Sequence, residues 1–236
     1  MKHLNTYITE YIVKKKLDKP IDSEDHYDYF PKTKEELVDN IKELFDKGEN
    51  NLNCIDTSAI TDMSYLFGTF NNIKNISFNV SNWNVSNVTN MSYMFYDCKK
   101  FDCDLSSWDV SNVTNMSHMF QNCENFTGEG LDKWDVINVK NMACMFYKCK
   151  KLDCDLSNWN VSNVTNMSYT FKICYEFKGN GLENWNVSNL ENMVGMFYSC
   201  KKLNCDLSKW NVSKVKNKRS MFYDCNSLKN IPSWKS

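Results

Sequence analysis

The sequence predicts an α/β solenoid of about seven right-handed coils, each a strand followed by a short helix, with a helical cap at the N-terminal end. Three observations carry this reading. Seven tryptophans stand at positions 83, 108, 134, 159, 185, 210 and 234, so consecutive ones are 24 to 26 residues apart. The text around them repeats: WNVSNVTNMSYMF at Trp83, WDVSNVTNMSHMF at Trp108, WNVSNVTNMSYTF at Trp159. Glycine and proline are scarce, at 7 and 3 residues, which favours ordered coils over a linker. With 28 basic and 29 acidic residues, no global field steers the chain toward nucleic acid or a membrane surface.

Residues 1–50 are expected to form the cap. Leu4, Tyr7, Ile8, Tyr11 and Ile12 share one face of a short amphipathic helix, and Lys14, Lys15 and Lys16 occupy its last turn, where cations suit the helix dipole. A partner-binding arm is the alternative for residues 1–19. Beyond an acidic link, Thr33 and Glu36 make a capping-box pattern, Leu37, Ile41, Leu44 and Phe45 an apolar stripe, and Gly48 a stop. The first residues lack the apolar core and cleavage site of a signal peptide, so a cytoplasmic location is expected, with a surface or virion-associated one as the alternative. No stretch approaches 18 apolar residues, so no membrane span is expected. The 11 cysteines are then expected to be reduced thiols.

Residues 51–236 hold the repeats, with a terminating coil at about 226–236. The first unit, IDTSAITDMSYLF, has no Trp, and an insertion separates Phe67 from Phe95. From Trp83–Cys98 to Trp210–Cys225 the Trp-to-Cys distance is constant, so length varies only between each Cys and the next Trp. That connection alternates between Cys-Asp-Leu, starting at Cys103, Cys154 or Cys205, and Gly-x-Gly-Leu, starting at Gly128 or Gly179. The true period is therefore a pair of coils. Within a coil, Trp108 and Val110 alternate with Ser107, Asp109 and Ser111, which predicts a strand with one buried face. Val113, Met116, Met119, Phe120 and Cys123 follow at helical spacing, with Thr114 as N-cap. A strand and a short helix in about 25 residues is the layout of a leucine-rich-repeat coil, and its strands would stack into a parallel sheet.

The string W-[DN]-V-S-N-V-x-N-M-x-x-M-F-x-x-C-x-x-[FL] resembles the repeat of BspA-like leucine-rich-repeat surface proteins, also catalogued as a mycoplasma-type repeat domain of unknown function. FPKTKEELVDNIKELF followed by IDTSAITDMSYLF is similar to the way many such proteins begin, and the resemblance covers roughly residues 30–236. It implies a leucine-rich-repeat-like solenoid and adhesion or host-protein binding. The expected lack of a signal peptide, lipobox or anchor departs from the surface-protein pattern.

Few residues point to chemistry. Cys144, Cys149 and Cys154 are five apart, and no C-x-x-C occurs, so the cysteine ladder reads as core rather than as a metal site. Asp102, Asp104, Asp153 and Asp155 offer too few oxygens for calcium and read as solvated turns. Lys99, Lys100, Lys150, Lys151, Lys201 and Lys202, with Lys148 nearby and Lys214, Lys216, Lys218 and Arg219 at the far end, would stack into a basic stripe. Coils bearing Glu124 or Glu176 interrupt it, which makes nucleic-acid binding the lesser reading. Asn90, Asn115, Asn141, Asn166, Asn192 and Asn217 read as turn-bonded structural residues. Of three histidines only His118 lies in the regular array, and no nucleophile–base pair is legible. No enzyme, cofactor or metal is expected.

What remains is the outward-facing polar ladder. Asn84, Asp109, Asp135, Asn160, Asn186 and Asn211, flanked by Asn82, Ser107, Lys133, Asn158, Asn184 and Lys209, would line a concave strand face. The expectation is a non-enzymatic scaffold that binds another protein there. The alternative is a structural or adhesin-like surface or virion component that self-assembles or contacts a host cell.

Overall fold

The computed structural model describes residues 27–235. The helix expected over residues 4–12 lies outside them. One α-helix is present among the described residues, α1 over Lys34–Asp46. Thr33 caps it by accepting the Glu36 N–H at 3.2 Å, and the Glu36 carboxylate accepts the Lys32 N–H at 2.6 Å. Leu37, Ile41 and Leu44 are its buried stripe. Gly48, at φ 78°, follows its end in the left-handed conformation.

The expected strand-plus-helix leucine-rich-repeat solenoid is not what forms. No sheet occurs among the described residues; extended pairing is reduced to isolated parallel bridges linking Asp62, Asn90, Asn115, Asn141, Asn166, Asn192 and Asn217 in succession. The Trp108–Val110 segment alternates buried and exposed as a strand would, yet makes no strand pairing. The segment from Val113 to Cys123 is not helical either. It is a run of tight turns in which Met119 N–H bonds to Met116 O, Gln121 to His118 O and Cys123 to Phe120 O, each three residues back. Turns of this kind also bury roughly every third residue, so the periodicity does not separate them from a helix.

What excludes the helix is the fate of the intervening amides. Met116, His118, Phe120 and Asn122 point their N–H groups out of the coil, to Asn141, Ala143, Met145 and Tyr147 carbonyls of the next repeat at 2.8–3.0 Å. Alternate amides thus close turns within a coil and join one coil to the next. The same pattern runs from Met91, Tyr93, Phe95 and Asp97 to Met193, Gly195, Phe197 and Ser199. Repeats therefore lie on one another in parallel, each bonded only to its neighbours.

This geometry requires left-handed residues at fixed places. His118 and Asn122, at φ 60° and 64°, are third in their turns, where a type II turn needs a positive φ. Asn suits such a site, but Tyr93, Tyr169, Lys148 and Ile173 adopt it too. For a β-branched side chain it costs roughly 1–2 kcal/mol. Longer connections use glycine instead. Gly130 sits at φ 86°, and a Cβ there would lie 2.2 Å from the Ser106 amide nitrogen.

Two substitutions follow. Ile173→Gly, which removes the Cβ from a left-handed residue and adds no polar atom, is expected to raise the urea unfolding free energy by up to about 1 kcal/mol. Gly130→Ala is expected to lower it by about 2 kcal/mol or more, through backbone strain and the clash with Ser106. An unchanged midpoint for Gly130→Ala would mean that this turn is not packed as described.

Candidate functional site

Two aromatic columns form the interior. Trp108, Trp134, Trp159, Trp185, Trp210 and Trp234 stack nearly parallel, with ring centroids 6.2–6.4 Å apart. Beside them Phe67, Phe95, Phe120, Phe146, Phe171, Phe197 and Phe222 stack at 5.3–5.9 Å. Each indole also has a polar task. Trp83 Nε1 donates to Leu52 O at 2.9 Å, Trp134 to Leu105 O at 3.1 Å and Trp159 to Leu131 O at 2.7 Å, in each case reaching the preceding coil.

The cysteine column does the same for the next carbonyl. Cys123, Cys149, Cys174, Cys200 and Cys225 donate S–H to Phe95, Phe120, Phe146, Phe171 and Phe197 carbonyls at 2.9–3.0 Å. All 11 cysteines are free thiols. Burial pushes Cys123, Cys149, Cys174 and Cys200 well above the ordinary thiol range, and Cys98 and Cys154 up to about 12. Such thiols stay protonated and are poor nucleophiles and poor metal ligands. Among the described residues no group of three or more His, Cys, Asp or Glu is placed to hold a metal ion.

The asparagines divide into two columns. Asn90, Asn115, Asn141, Asn166, Asn192 and Asn217 accept the N–H two residues on, closing their own turns at 3.0–3.2 Å. Asn87, Asn112, Asn138, Asn163 and Asn189 donate Nδ2 to the preceding coil at 2.7–2.8 Å. His118 stacks on Tyr93 at 4.2 Å and pairs through Nδ1 with Gln121, which leaves it remote from any nucleophile–base arrangement.

The residues expected to bind a partner do line up. Asn84, Asp109, Asp135, Asn160 and Asn186 are exposed between buried neighbours, and Asn211 is exposed between buried Trp210 and half-buried Val212. Each uses its Oδ1 to accept the N–H two residues on, at 3.0–3.2 Å, so the column is fixed by its own backbone. The Ser111 hydroxyl and N–H hold the Asp109 carboxyl below its ordinary value. In the flanking column Ser107 donates to Ser81 O, Asn158 donates to Asp132 O and Lys133 pairs with Asp132, while Asn184 and Lys209 are exposed. These columns sit on turns, not on a concave strand face, because no sheet is there to curve.

The lysine stripe is neutralised in part, at Lys150, Lys202 and Lys216, and two lysines outside it are paired as well. Lys150 pairs with Glu124 at 2.8 Å, Lys202 with Glu176, Lys178 with Asp153 and Lys74 with Asp97 at 3.0 Å. The acidic turns are occupied too: Asp102 accepts the Thr127 N–H and hydroxyl, Asp104 accepts the Ser106 N–H and Asp155 the Ser157 N–H. Sequence reasoning missed one feature, a cation among rings. Lys172 Nζ lies 5.5, 4.9 and 4.6 Å from the ring centres of Tyr147, Tyr169 and Tyr198. The signal was present, since Lys172 occupies the slot of Tyr147 and Tyr198 in sister coils.

Compared with known proteins, residues 37–156 and 122–234 match the family described as Mycoplasma protein of unknown function, DUF285. The chain belongs to this family. The DUF285 matches together run through nearly the whole array and include the last turn of the tryptophan ladder. No curated protein and no solved structure matches the chain. The finer assignment to BspA-like leucine-rich-repeat proteins is not part of what the match shows. Among the described residues no helix is long and apolar enough to cross a membrane.

Trp134→Phe keeps the ring stack but removes the indole donor to the Leu105 carbonyl, which still accepts the Trp108 N–H, and is expected to cost about 0.5–1.5 kcal/mol in urea unfolding. The same loss at Trp83→Phe would show that the indole N–H, and not a local accident, is responsible. For Asp109, a depressed folded value means that its share of stability is present above the ordinary carboxylate range. That share is lost as pH falls through the folded value. Asp109→Asn, which copies Asn84, is expected to flatten the acid limb of the thermal melting curve; an unaltered limb would count against the Ser111 interaction.

Proposed function

We propose that this DUF285 chain is a non-enzymatic scaffold that binds another protein through the polar column Asn84, Asp109, Asp135, Asn160, Asn186 and Asn211. The observation that carries the reading is preorganisation. Each of these side chains is exposed yet locked by a hydrogen bond into its own turn, at a regular step from its neighbour. A partner then pays little side-chain entropy to engage several at once, which is how rigid polar surfaces gain affinity. Asp109 and Asp135 give the middle of the column an acidic centre, while Lys133 and Lys209 mark its margin. The resemblance of the repeat to BspA-like surface proteins supports a protein as the partner class.

A cross-linked pull-down from the native source, repeated with Asp109→Lys and Asp135→Lys together, tests this. The captured partner should be lost from the double variant while the thermal midpoint stays within about 2 °C, as exposed substitutions allow. Retention of the partner by a folded double variant would remove this column as the interface.

A further inference from the structure

The two ends of the stack differ in kind. At the first end α1 lies over the core, with Leu37, Ile41 and Leu44 buried and Lys34 Nζ donating to Ser64 Oγ at 2.9 Å. At the other end no element takes that place among the described residues. Val212, Val215, Cys225, Leu228 and Trp234 are only partly buried, although their counterparts one coil earlier, such as Leu190, Cys200 and Trp210, are in the core. Tyr223 is 62% and Ile231 55% exposed.

The backbone carries the sharper signal. In the preceding coil Gly195, Phe197 and Ser199 donate their N–H groups to Arg219, Met221 and Tyr223 carbonyls at 2.8, 3.1 and 2.7 Å. One coil on, the same positions are Ser220, Phe222 and Asp224, whose N–H groups have no acceptor among the described residues. A row of donors at alternate residues is an open edge that invites another chain. A hollow of about 400 Å³, lined by Arg219, Ser220, Met221, Tyr223 and Lys235 among others, lies against this row.

Charge selects the occupant. From Lys209 to Lys235 the chain has seven basic residues and one acid, Asp224. Lys216 is paired with Glu191 and Lys214 donates to Asn189, whereas Arg219, Lys229 and Lys235 have no ion-pair partner among the described residues. A second copy fits poorly. Two such ends would set donors against donors, and in a head-to-tail contact α1 stands in the way.

We propose that this end of the stack is a docking edge for an extended, acidic segment of a partner protein. Its alternate carbonyls accept the N–H groups of Ser220, Phe222 and Asp224, its carboxylates meet Arg219, Lys229 and Lys235, and its apolar side chains cover Tyr223 and Trp234. This is strand addition applied to a coil built of turns. The surface is distinct from the polar column, so the two readings stand or fall separately.

The test uses the full chain and a fluorescent peptide in which glutamate alternates with valine. Anisotropy should show binding that weakens about tenfold when Arg219→Glu, Lys229→Glu and Lys235→Glu are combined, with an unchanged melting curve. Hydrogen exchange should slow at the amides of Ser220, Phe222 and Asp224 when the peptide is bound. Asp109→Lys with Asp135→Lys should leave both readouts intact. The proposal is overturned if those amides gain no protection, or if single-stranded DNA of equal charge binds as tightly. It is equally overturned if the amides are already protected in a peptide-free dimer seen by sedimentation.

Discussion

The demand that every buried carbonyl find a donor governs the rest of this molecule. A helix or a sheet meets that demand with backbone alone, but a coil made of turns does not. Its turn amides give the carbonyls of Leu105, Leu131, Phe120 and Phe146 one donor each, from Trp108, Trp134, Cys123 and Cys149, and leave a second acceptor position of each open toward the interior. Indole N–H, thiol S–H and carboxamide Nδ2 groups supply the missing donors at 2.7–3.1 Å. Each such second bond adds about 0.5–1.5 kcal/mol, which along the whole stack becomes a fair share of a domain's net stability. Trp, Cys and Asn therefore recur because each joins an apolar or compact body to one donor aimed along the stack.

Thr170 shows the rule at work where the pattern breaks. It replaces the methionine of Met94, Met119 and Met145, yet its hydroxyl is not orphaned: it bonds to Met142 O and Met167 O, each at 2.9 Å. Thr57 is buried on the same terms, its hydroxyl donating to Asn84 O at 2.8 Å, whereas Asn122 Oδ1 is buried without a partner. The alternation of connections has a similar steric origin. A Cβ on Gly128 would stand 2.8 Å from Cys154 Sγ, and one on Gly179 would stand 2.7 Å from Cys205 Sγ. A glycine turn thus makes room for the cysteine turn above it, and the repeat advances in pairs.

With the interior satisfied along the stack, coil-to-coil variation is left to the surface. Lysine on one coil meets glutamate on its neighbour, as Lys150 with Glu124 and Lys202 with Glu176, which breaks up a stripe that looks uniformly basic when the letters alone are aligned. Exposed pairs of this sort add little stability, but they keep a long repetitive face from acting as one charged rail. The densest excess of positive charge stands at the last coil, where seven basic residues from Lys209 to Lys235 face one acid, Asp224.

The sequence by itself determined the period, the in-and-out alternation around each tryptophan, α1 with its Thr33 cap, and the buried and structural roles of the cysteines and asparagines. Those follow from local rules: spacing, side-chain polarity and capping chemistry. Only the tertiary structure decided that the coils contain neither strand nor repeat helix. Val113, Met116 and Met119 are spaced alike in a helix and in a chain of three-residue turns, and the choice depends on where the Met116, His118 and Phe120 amides find their acceptors. Those acceptors lie about 25 residues away, on a neighbouring coil. A reading confined to one repeat has no access to them, because each coil is completed by the next.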